Sequence, residues 1–367
     1  MAAGRYNVRF SRPVRGLGLR VFRVAPAAAF VFCPPPPKIA NWQAMLILRH
    51  LPARAAPPVA LTVGNFDGVH LGHRAMLARL CTVAREHGWR SCVMTFEPHP
   101  REFFSPDQAP TRLTSLREKL ELLAGLGVEQ TYVRRFDYNF ARISAEEFIQ
   151  RILVEGLRVR WVLVGDDFRF GARRQGDFVQ LRAAGVEHGF EVVRLESVAV
   201  DGVRVSSTAV RERLASGELA AAARLLGRPY SISGRVVAGD RLGTQLGFPT
   251  ANVQMKHNRP PVAGIFVVDV VGLGEQPLQG VASLGVRPTI KAGGPPVLEV
   301  HLFDFAGDVY GRHLQVRFLH KLRDEEKYAD LGALKVQIAR DVADARAFFE
   351  RGDGPRRSSA REDGRST

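Results

Sequence analysis

Two histidines three residues apart, His70 and His73, close the run Gly64-Asn65-Phe66-Asp67-Gly68-Val69-His70-Leu71-Gly72-His73, where an apolar strand pattern gives way to a helical one. Imidazoles at that spacing share one face of a helix start, where backbone amides and the positive end of the helix dipole already favour an anion. Beside a triphosphate, such a pair can hydrogen-bond the charge that grows on the α-phosphate and the departing pyrophosphate without acting as nucleophiles. The glycines of the run let backbone amides approach a phosphate closely. An isolated His-x-Gly-His tetrad would read as two surface histidines; its place at a first strand-to-helix junction favours the anion site. A metal site is the weaker reading, because no third ligand stands out nearby. Further on, Ser206-Ser207-Thr208 opens another helix and Arg211 lies one turn in. Those hydroxyls can cap the helix, and Arg211 brings a fixed positive charge suited to triphosphate oxygens.

A second constellation is Gly239-Asp240-Arg241-Leu242-Gly243-Thr244-Gln245-Leu246-Gly247-Phe248-Pro249-Thr250-Ala251-Asn252. Gly239, Gly243 and Gly247, at four-residue spacing, suit a loop that wraps phosphates, although alone they would equally make ordinary turns. Thr250 and Asn252 flank one alanine and so point to the same side of an extended segment. A hydroxyl and an amide oxygen are hard ligands suited to Mg²⁺ shared with a nucleotide. In Glu299-Val300-His301 a strand alternation sends Glu299 and His301 to one face. Glu299 is one choice for a general base, and a solvent-facing strand glutamate is the other reading.

Together, GNFDGVHLGH, TFEPHP at 95–100, GDDFRFG at 165–171 and SSTAVR at 206–211 resemble the adenylyltransferase half of the prokaryotic bifunctional riboflavin kinase/FMN adenylyltransferases, or FAD synthetases. GFPTAN at 247–252 is similar to the riboflavin kinase signature, and GVRPT at 285–289, LEVHLFDF at 298–305, Tyr310-Gly311 and LRDE at 322–325 continue the resemblance, which runs from Met45 to Phe349. It implies a Rossmann-like nucleotidylyltransferase domain followed by a small riboflavin-kinase-type β-barrel with a C-terminal helix. It also implies two ATP-dependent, Mg²⁺-assisted steps: riboflavin to FMN, then FMN to FAD with release of pyrophosphate. By the same resemblance His70 and His73 activate the nucleotide, Gly64, Asn65, Phe66 and Gly72 lie against ATP, and Ser207, Thr208 and Arg211 close over its phosphates. Phe96, Pro98, Asp167 and Phe168 would meet the flavin. In the second half Gly239, Gly243, Gly247 and Pro249 would bind ATP, Thr250 and Asn252 would hold Mg²⁺ with it, Glu299 would be the base, and Arg323 would contact flavin. Two departures stand out: Thr244-Gln245 where a basic residue is common, which implies one fewer phosphate contact, and Gly264-Ile265-Phe266 in place of Gly-Val-Tyr. Neither touches Thr250, Asn252 or Glu299, so both activities are expected. The competing functions are a single retained activity, a non-catalytic flavin carrier, and a nucleic-acid-binding protein.

The elements that must position these residues change character along the chain. Apolar strand patterns at Val59–Val63, Ser91–Phe96, Gln130–Arg134, Trp161–Val164 and Glu191–Leu195 alternate with helical ones starting near Gly72, Ser115, Ser144 and Asp177. Ser115 with Glu118, and Ser144 with Glu147, form capping boxes. Such alternation predicts a parallel sheet covered on both faces, with ligands at the carboxyl ends of its strands. After Arg228-Pro229 come strands without helices, at Ser231–Val237, Ile265–Val271, Gln279–Leu284, Leu298–Phe305 and Leu314–Phe318, and then one helix over Leu331–Phe349. That pattern predicts a small closed barrel finished by a helix. The expected divisions are 1–44 a disordered extension, 45–228 the adenylyltransferase domain, 229–350 the riboflavin kinase domain and 351–367 a disordered tail.

Of 367 residues 46% are hydrophobic, enough for a core in each of two domains. Cys33, Cys81 and Cys92 show no metal-ligand spacing and leave one unpaired, which suits a reducing, cytoplasmic setting. The formal charge of +15 is concentrated at the ends: residues 1–44 hold six Arg and one Lys with no acid, and 351–367 hold five Arg against three acids. Between them 40 basic and 34 acidic residues leave an excess of six, which suits anionic phosphates and needs no nucleic acid. No apolar run approaches the roughly 18 residues of a membrane span. The first 44 residues run into Cys33-Pro34-Pro35-Pro36-Pro37, which can continue neither helix nor strand. A chain beginning at Met45 is expected to turn over riboflavin and FMN as fast as the full chain, measured by chromatography of the flavin products; loss of function on this truncation would favour the nucleic-acid reading.

Overall fold

The computed structural model describes residues 45–51, 57–239, 242–257, 259–286 and 296–352. The expected terminal extensions, Asp240-Arg241 and the Arg287-Pro288-Thr289 part of the GVRPT run lie outside the described residues.

Six strands, β1 (Leu46–Leu48), β2 (Val59–Val63), β3 (Arg90–Glu97), β4 (Gln130–Arg135), β5 (Val159–Gly165) and β6 (Glu191–Leu195), form one sheet in the order β1-β4-β3-β2-β5-β6. Every neighbouring pair is parallel, as the strand–helix alternation predicts. The connecting helices are α1 (Leu71–His87), α2 (Pro100–Phe104), α3 (Leu116–Gly125), α4 (Tyr138–Ala141), α5 (Ala145–Glu147) and α6 (Phe178–His188). The chain then makes a small antiparallel pair, β7 (Ala199–Val200) with β8 (Val203–Arg204), and two helices, α7 (Ser207–Ala215) and α8 (Leu219–Leu226). β2 lies in the middle with all five residues buried, and its side chains alternate between two cores. Leu61 faces Ile152, Leu153 and Leu181 on one side, and Ala60 faces Leu77, Leu80 and Leu123 on the other. Both capping boxes form at Ser115 and Ser144. The helix that follows Ser144 departs from the expected regular form, because Phe148–Gly156 is wound as a π-helix, closed by the Leu157 amide on the Ile152 carbonyl at 2.8 Å. β1, only three residues long, is too short to show a period in the sequence.

β2 separates the two directions in which the sheet grows, since β3 lies on one side of it and β5 on the other. Its carboxyl end is therefore the crevice where open parallel sheets bind ligands, and Gly64 to His73 begin there.

The second half is a closed antiparallel barrel, in the order β10-β13-β12-β11-β14-β9. Its strands are β9 (Tyr230–Val237), β10 (Ala251–Gln254), β11 (Gly264–Val271), β12 (Leu278–Val286), β13 (Pro296–Leu302) and β14 (His313–Arg323), with α9 (Leu242–Leu246) before β10 and α10 (Leu331–Glu350) last. Ile232, Phe266, Val268, Leu284, Leu298 and Phe318 fill the interior. α10 covers part of the outside, with Ala345 and Phe348 against Val267, Val281 and Phe303. It is also tied by charge: Arg323, at the end of β14, forks onto the buried Asp341 at 2.8 and 2.6 Å. Asp341 is buried and Arg323 only partly so; removing the acid takes away a charge-assisted fork worth about 2 kcal/mol. Asp341→Ala is therefore expected to lower the free energy of unfolding by about that amount, read as an earlier midpoint in urea.

Candidate active sites

The loop from β2 to α1 takes an unusual course. Phe66, Gly68 and Val69 have φ of 49°, 79° and 42°, so two residues with side chains occupy the left-handed region. Each such residue costs roughly 1–3 kcal/mol unless its surroundings hold it. Asp67 supplies that hold: its buried carboxylate accepts from the amides of Leu113 and Thr114, both at 3.0 Å, and from the Thr114 hydroxyl at 3.1 Å. Arg211 pairs with the same carboxylate and donates from Nε to the Thr111 carbonyl at 2.6 Å. The Gly68 amide donates to Thr114 Oγ1 at 3.1 Å, and Ser207 Oγ donates to the Asp67 carbonyl at 2.9 Å. Ser207 and Arg211, read from sequence as phosphate contacts, thus serve here as braces of the loop. Ser206 caps α7, and Thr208 is exposed beside it.

The loop delivers the two imidazoles. Their rings stack 3.7 Å apart at 17°, and Phe66, buried rather than open to a ligand, sets its ring 4.9 Å from that of His73. His70 caps α1, its Nδ1 accepting from the His73 amide at 3.3 Å. That contact puts the His70 proton on Nε2, leaving an N–H to offer a ligand. Gly72 lies close beside it: a Cβ there would sit 3.2 Å from the His70 ring, a tight contact that would press on the imidazole. Burial lowers the His70 pKa to about 4, with Arg228 and Arg211 adding to the shift and Asp67 opposing it. Burial, then His70 and Lys119, hold His73 well below the ordinary histidine value. Both rings are therefore neutral hydrogen-bonding groups at pH 7, and the His73 Nδ1 is shut from solvent with no hydrogen-bond partner among the described residues.

The proposed flavin residues flank this loop on the strands beside β2. Phe96, in β3, packs edge-on to Phe136, and Pro98 follows on a cleft of about 380 Å³ with Arg49, His50, Val133 and Arg135. Asp167 and Phe168 follow β5; Asp167 is exposed, and Phe168 stacks on Phe170 at 5.5 Å. A buried cation, Lys119, lies near the end of β3 with its Nζ 3.4 Å from Thr95 Oγ1. Its pKa is lowered, chiefly by burial.

In the barrel, hydrogen-bond register assembles the second constellation. Asn252 of β10 is the direct cross-strand partner of Glu299 of β13, and Ser283 of β12 is the partner of Glu299 on its other side. Ala251, Val253, Leu298 and Val300 point into the core, so Asn252, Glu299 and Ser283 share the outer face. Gly239 lies against the Asn252 amide, where a Cβ would come within 2.3 Å of it. Thr250 Oγ1 approaches Gly243 in the same manner, at 3.1 Å from that position. His301 donates from Nδ1 to the Pro249 carbonyl at 2.9 Å, and Gly247 turns at φ 90°. Glu325 joins this face through Ser283, whose hydroxyl donates to it at 3.2 Å. Arg323 points elsewhere, to Asp341 of α10.

Residues 53–209 match the FAD synthetase family model, and residues 226–349 match that of riboflavin kinase. The bifunctional riboflavin kinase/FMN adenylyltransferase of Escherichia coli K12 is 54% identical over 289 residues, 79% of this chain and 92% of that protein. The chain belongs to the bifunctional riboflavin kinase/FMN adenylyltransferase family. The Pseudomonas fluorescens member is 52% identical over 78% of this chain and 92% of its own length. A solved structure described as a macrolide-efflux protein from Streptococcus pneumoniae superposes with a TM-score of 0.68 at 28% identity, over 81% of this chain and 97% of that one. No helix among the described residues is long and apolar enough to cross a membrane.

Three residues of this family member carry no spacing signal that marks them: Asp67, Lys119 and Arg228. Asp67 lies inside the run from Gly64 to His73, and an acid between an aromatic residue and a glycine is the only hint of its anchoring role. The neutral imidazoles have a measurable consequence. Unfolded, the His70 ring titrates near 6.5, and folded near 4. Between those values the unfolded chain binds a proton that the native one refuses, so native stability is full above pH 6.5 and falls as pH drops towards 4. His70 alone accounts for roughly 3 kcal/mol of that fall. His70→Asn keeps a capping oxygen without the titration. Urea unfolding at neutral and at acid pH should show a smaller acid loss in the variant, and an equal loss would contradict the buried, neutral imidazole.

Proposed function

We propose that the two constellations carry the two steps of FAD formation: residues 229–350 phosphorylate riboflavin with ATP, and residues 45–228 join FMN to a second ATP, releasing pyrophosphate. The observation that carries the reading is the stacked, neutral imidazole pair at the start of α1, in the crevice at the end of β2. A nucleotide seated there meets the backbone of Gly64, Asn65 and Phe66, and the phosphates lie over Gly72 and the helix start. The His70 Nε2–H is a donor for the oxygens of the α-phosphate and the departing pyrophosphate, whose charge grows as the FMN phosphate attacks. His73 contributes from the same face. Because both rings are neutral, the pair binds by directed hydrogen bonds rather than by net charge. Thr208 at the head of α7 would close over the phosphates, with Ser207 and Arg211 holding the Asp67 loop beneath them, while Phe96, Pro98, Asp167 and Phe168 line the flavin side.

In the barrel, Gly239, Gly243, Gly247 and Pro249 shape the nucleotide loop. The Thr250 hydroxyl and Asn252 amide oxygen, both approached closely by glycine backbone, fit Mg²⁺, which prefers hard oxygen donors and retains phosphate oxygens in its shell. When bound, it neutralises charge on the γ-phosphate. Glu299, directly across the ladder from Asn252, takes the proton from the terminal ribityl hydroxyl as that oxygen attacks phosphorus. Arg323, forked onto Asp341, orders the end of β14, and a contact to flavin from it would need that pair to open. We assign the enzyme to the cytoplasm, in keeping with its unpaired cysteines, and no nucleic acid or membrane enters the scheme.

The two sites should fail separately. Glu299→Ala is expected to depress riboflavin phosphorylation by about 10²- to 10⁴-fold and leave FMN-to-FAD conversion intact. His73→Ala should do the reverse, by about 10²- to 10³-fold. Chromatography with riboflavin or FMN supplied separately reads both, and a variant that loses both activities together would sink the two-site scheme.

A further inference from the structure

Only Gly227, Arg228 and Pro229 separate α8 from β9. The Arg228 side chain turns back from this span towards the β2–α1 loop, where Nη2 donates to the Gly68 carbonyl at 2.8 Å and Nη1 to the Val69 carbonyl at 3.2 Å. Nη1 also reaches the Leu226 carbonyl at 3.4 Å. Burial pulls the guanidinium down to about 10, so it stays charged at neutral pH, and its Nε is shut from solvent with no hydrogen-bond partner among the described residues. A buried cation is costly unless hydrogen bonds replace the lost water, and here backbone carbonyls supply them. Those bonds fall on two consecutive peptide groups, Gly68–Val69 and Val69–His70. The first links two left-handed residues; the second is the plane by which the chain enters His70 and α1. Arg74 ties the contact from the other side, donating to the Gly227 carbonyl at 3.1 Å.

We propose that Arg228 is a positioning residue for FMN adenylylation, fixing the two peptide planes that aim His70 and His73. The inference rests on the assignment of adenylylation to that imidazole pair. Arg228 acts through the loop and touches neither the barrel constellation nor Glu299, so it separates the two reactions. It also works on His70 through its charge. The groups that bear on that ring are Asp67 in the loop, which favours protonation, and Arg211 from α7, Arg228 from the span and the neighbouring His73. Removing the Arg228 charge makes His70 easier to protonate.

The test uses full-length Arg228→Gln and Arg228→Lys, with riboflavin phosphorylation and FMN adenylylation measured separately across acid and neutral pH, and His73→Ala alongside. Displacing the imidazoles by a fraction of an ångström should lower kcat for adenylylation by about tenfold to a hundredfold in both variants, with little change in KM for FMN and in riboflavin phosphorylation. In Arg228→Gln the acid limb of adenylylation should also move to higher pH; in Arg228→Lys, which keeps a charge but loses the fork, it should move less. A purely structural role would leave that limb in place. Wild-type adenylylation in Arg228→Gln, while His73→Ala has lost it, overturns the proposal, as does an equal fall in both reactions. Full adenylylation in His73→Ala overturns the imidazole assignment and this inference with it. Should Arg228→Gln fail to fold, Arg228→Lys decides by the same ratio of the two turnovers.

Discussion

A single buried carboxylate fixes the backbone that carries the stacked pair of imidazoles. The chain between β2 and α1 passes through three left-handed residues, a path it would leave unless tied down. Asp67 ties it by accepting from two backbone amides, one hydroxyl and Arg211. Each donor belongs to a different stretch of chain from the loop itself: Leu113 and Thr114 precede α3, and Arg211 lies in α7. The geometry of the two imidazoles is therefore set by tertiary contacts and not by the local sequence.

The barrel solves the same problem by other means. Asn252, Glu299 and Ser283 lie on three adjacent strands and are brought together by hydrogen-bond register alone. A one-residue slip in any of these pairings would turn the side chains to the opposite face, and the alternation of Leu298 and Val300 with Glu299 makes such a slip expose core residues. Hydrophobic burial thus guards the placement of the polar groups.

These two strategies explain what could be read from the sequence. The parallel sheet, the barrel and the last helix follow from periodicity, and both capping boxes from a serine with a glutamate three residues on, all of which the chain states residue by residue. The strand-to-helix placement of His70 and His73, and the alternation around Glu299, are local patterns of the same kind. Other features are not local. Asp67, Lys119 and Arg228 owe their surroundings to segments far along the chain, so no spacing announces them. Arg211 and Ser207 were legible as residues of the site, but as phosphate ligands; that their side chains hold Asp67 and its carbonyl depends on the approach of α7 to the loop. The π-turn at Phe148–Gly156 is likewise invisible to a pattern of apolar residues that an α-helix would satisfy equally well.

β10 is four residues long and joins β9 to β13. Without it the barrel would be an open sheet with two unprotected edges, each offering unpaired amides and carbonyls to another chain. The same short strand carries Asn252 and follows directly on Thr250. Closing the seam and setting Asn252 opposite Glu299 are consequently one event, so a molecule whose barrel is still open does not yet hold these two side chains together.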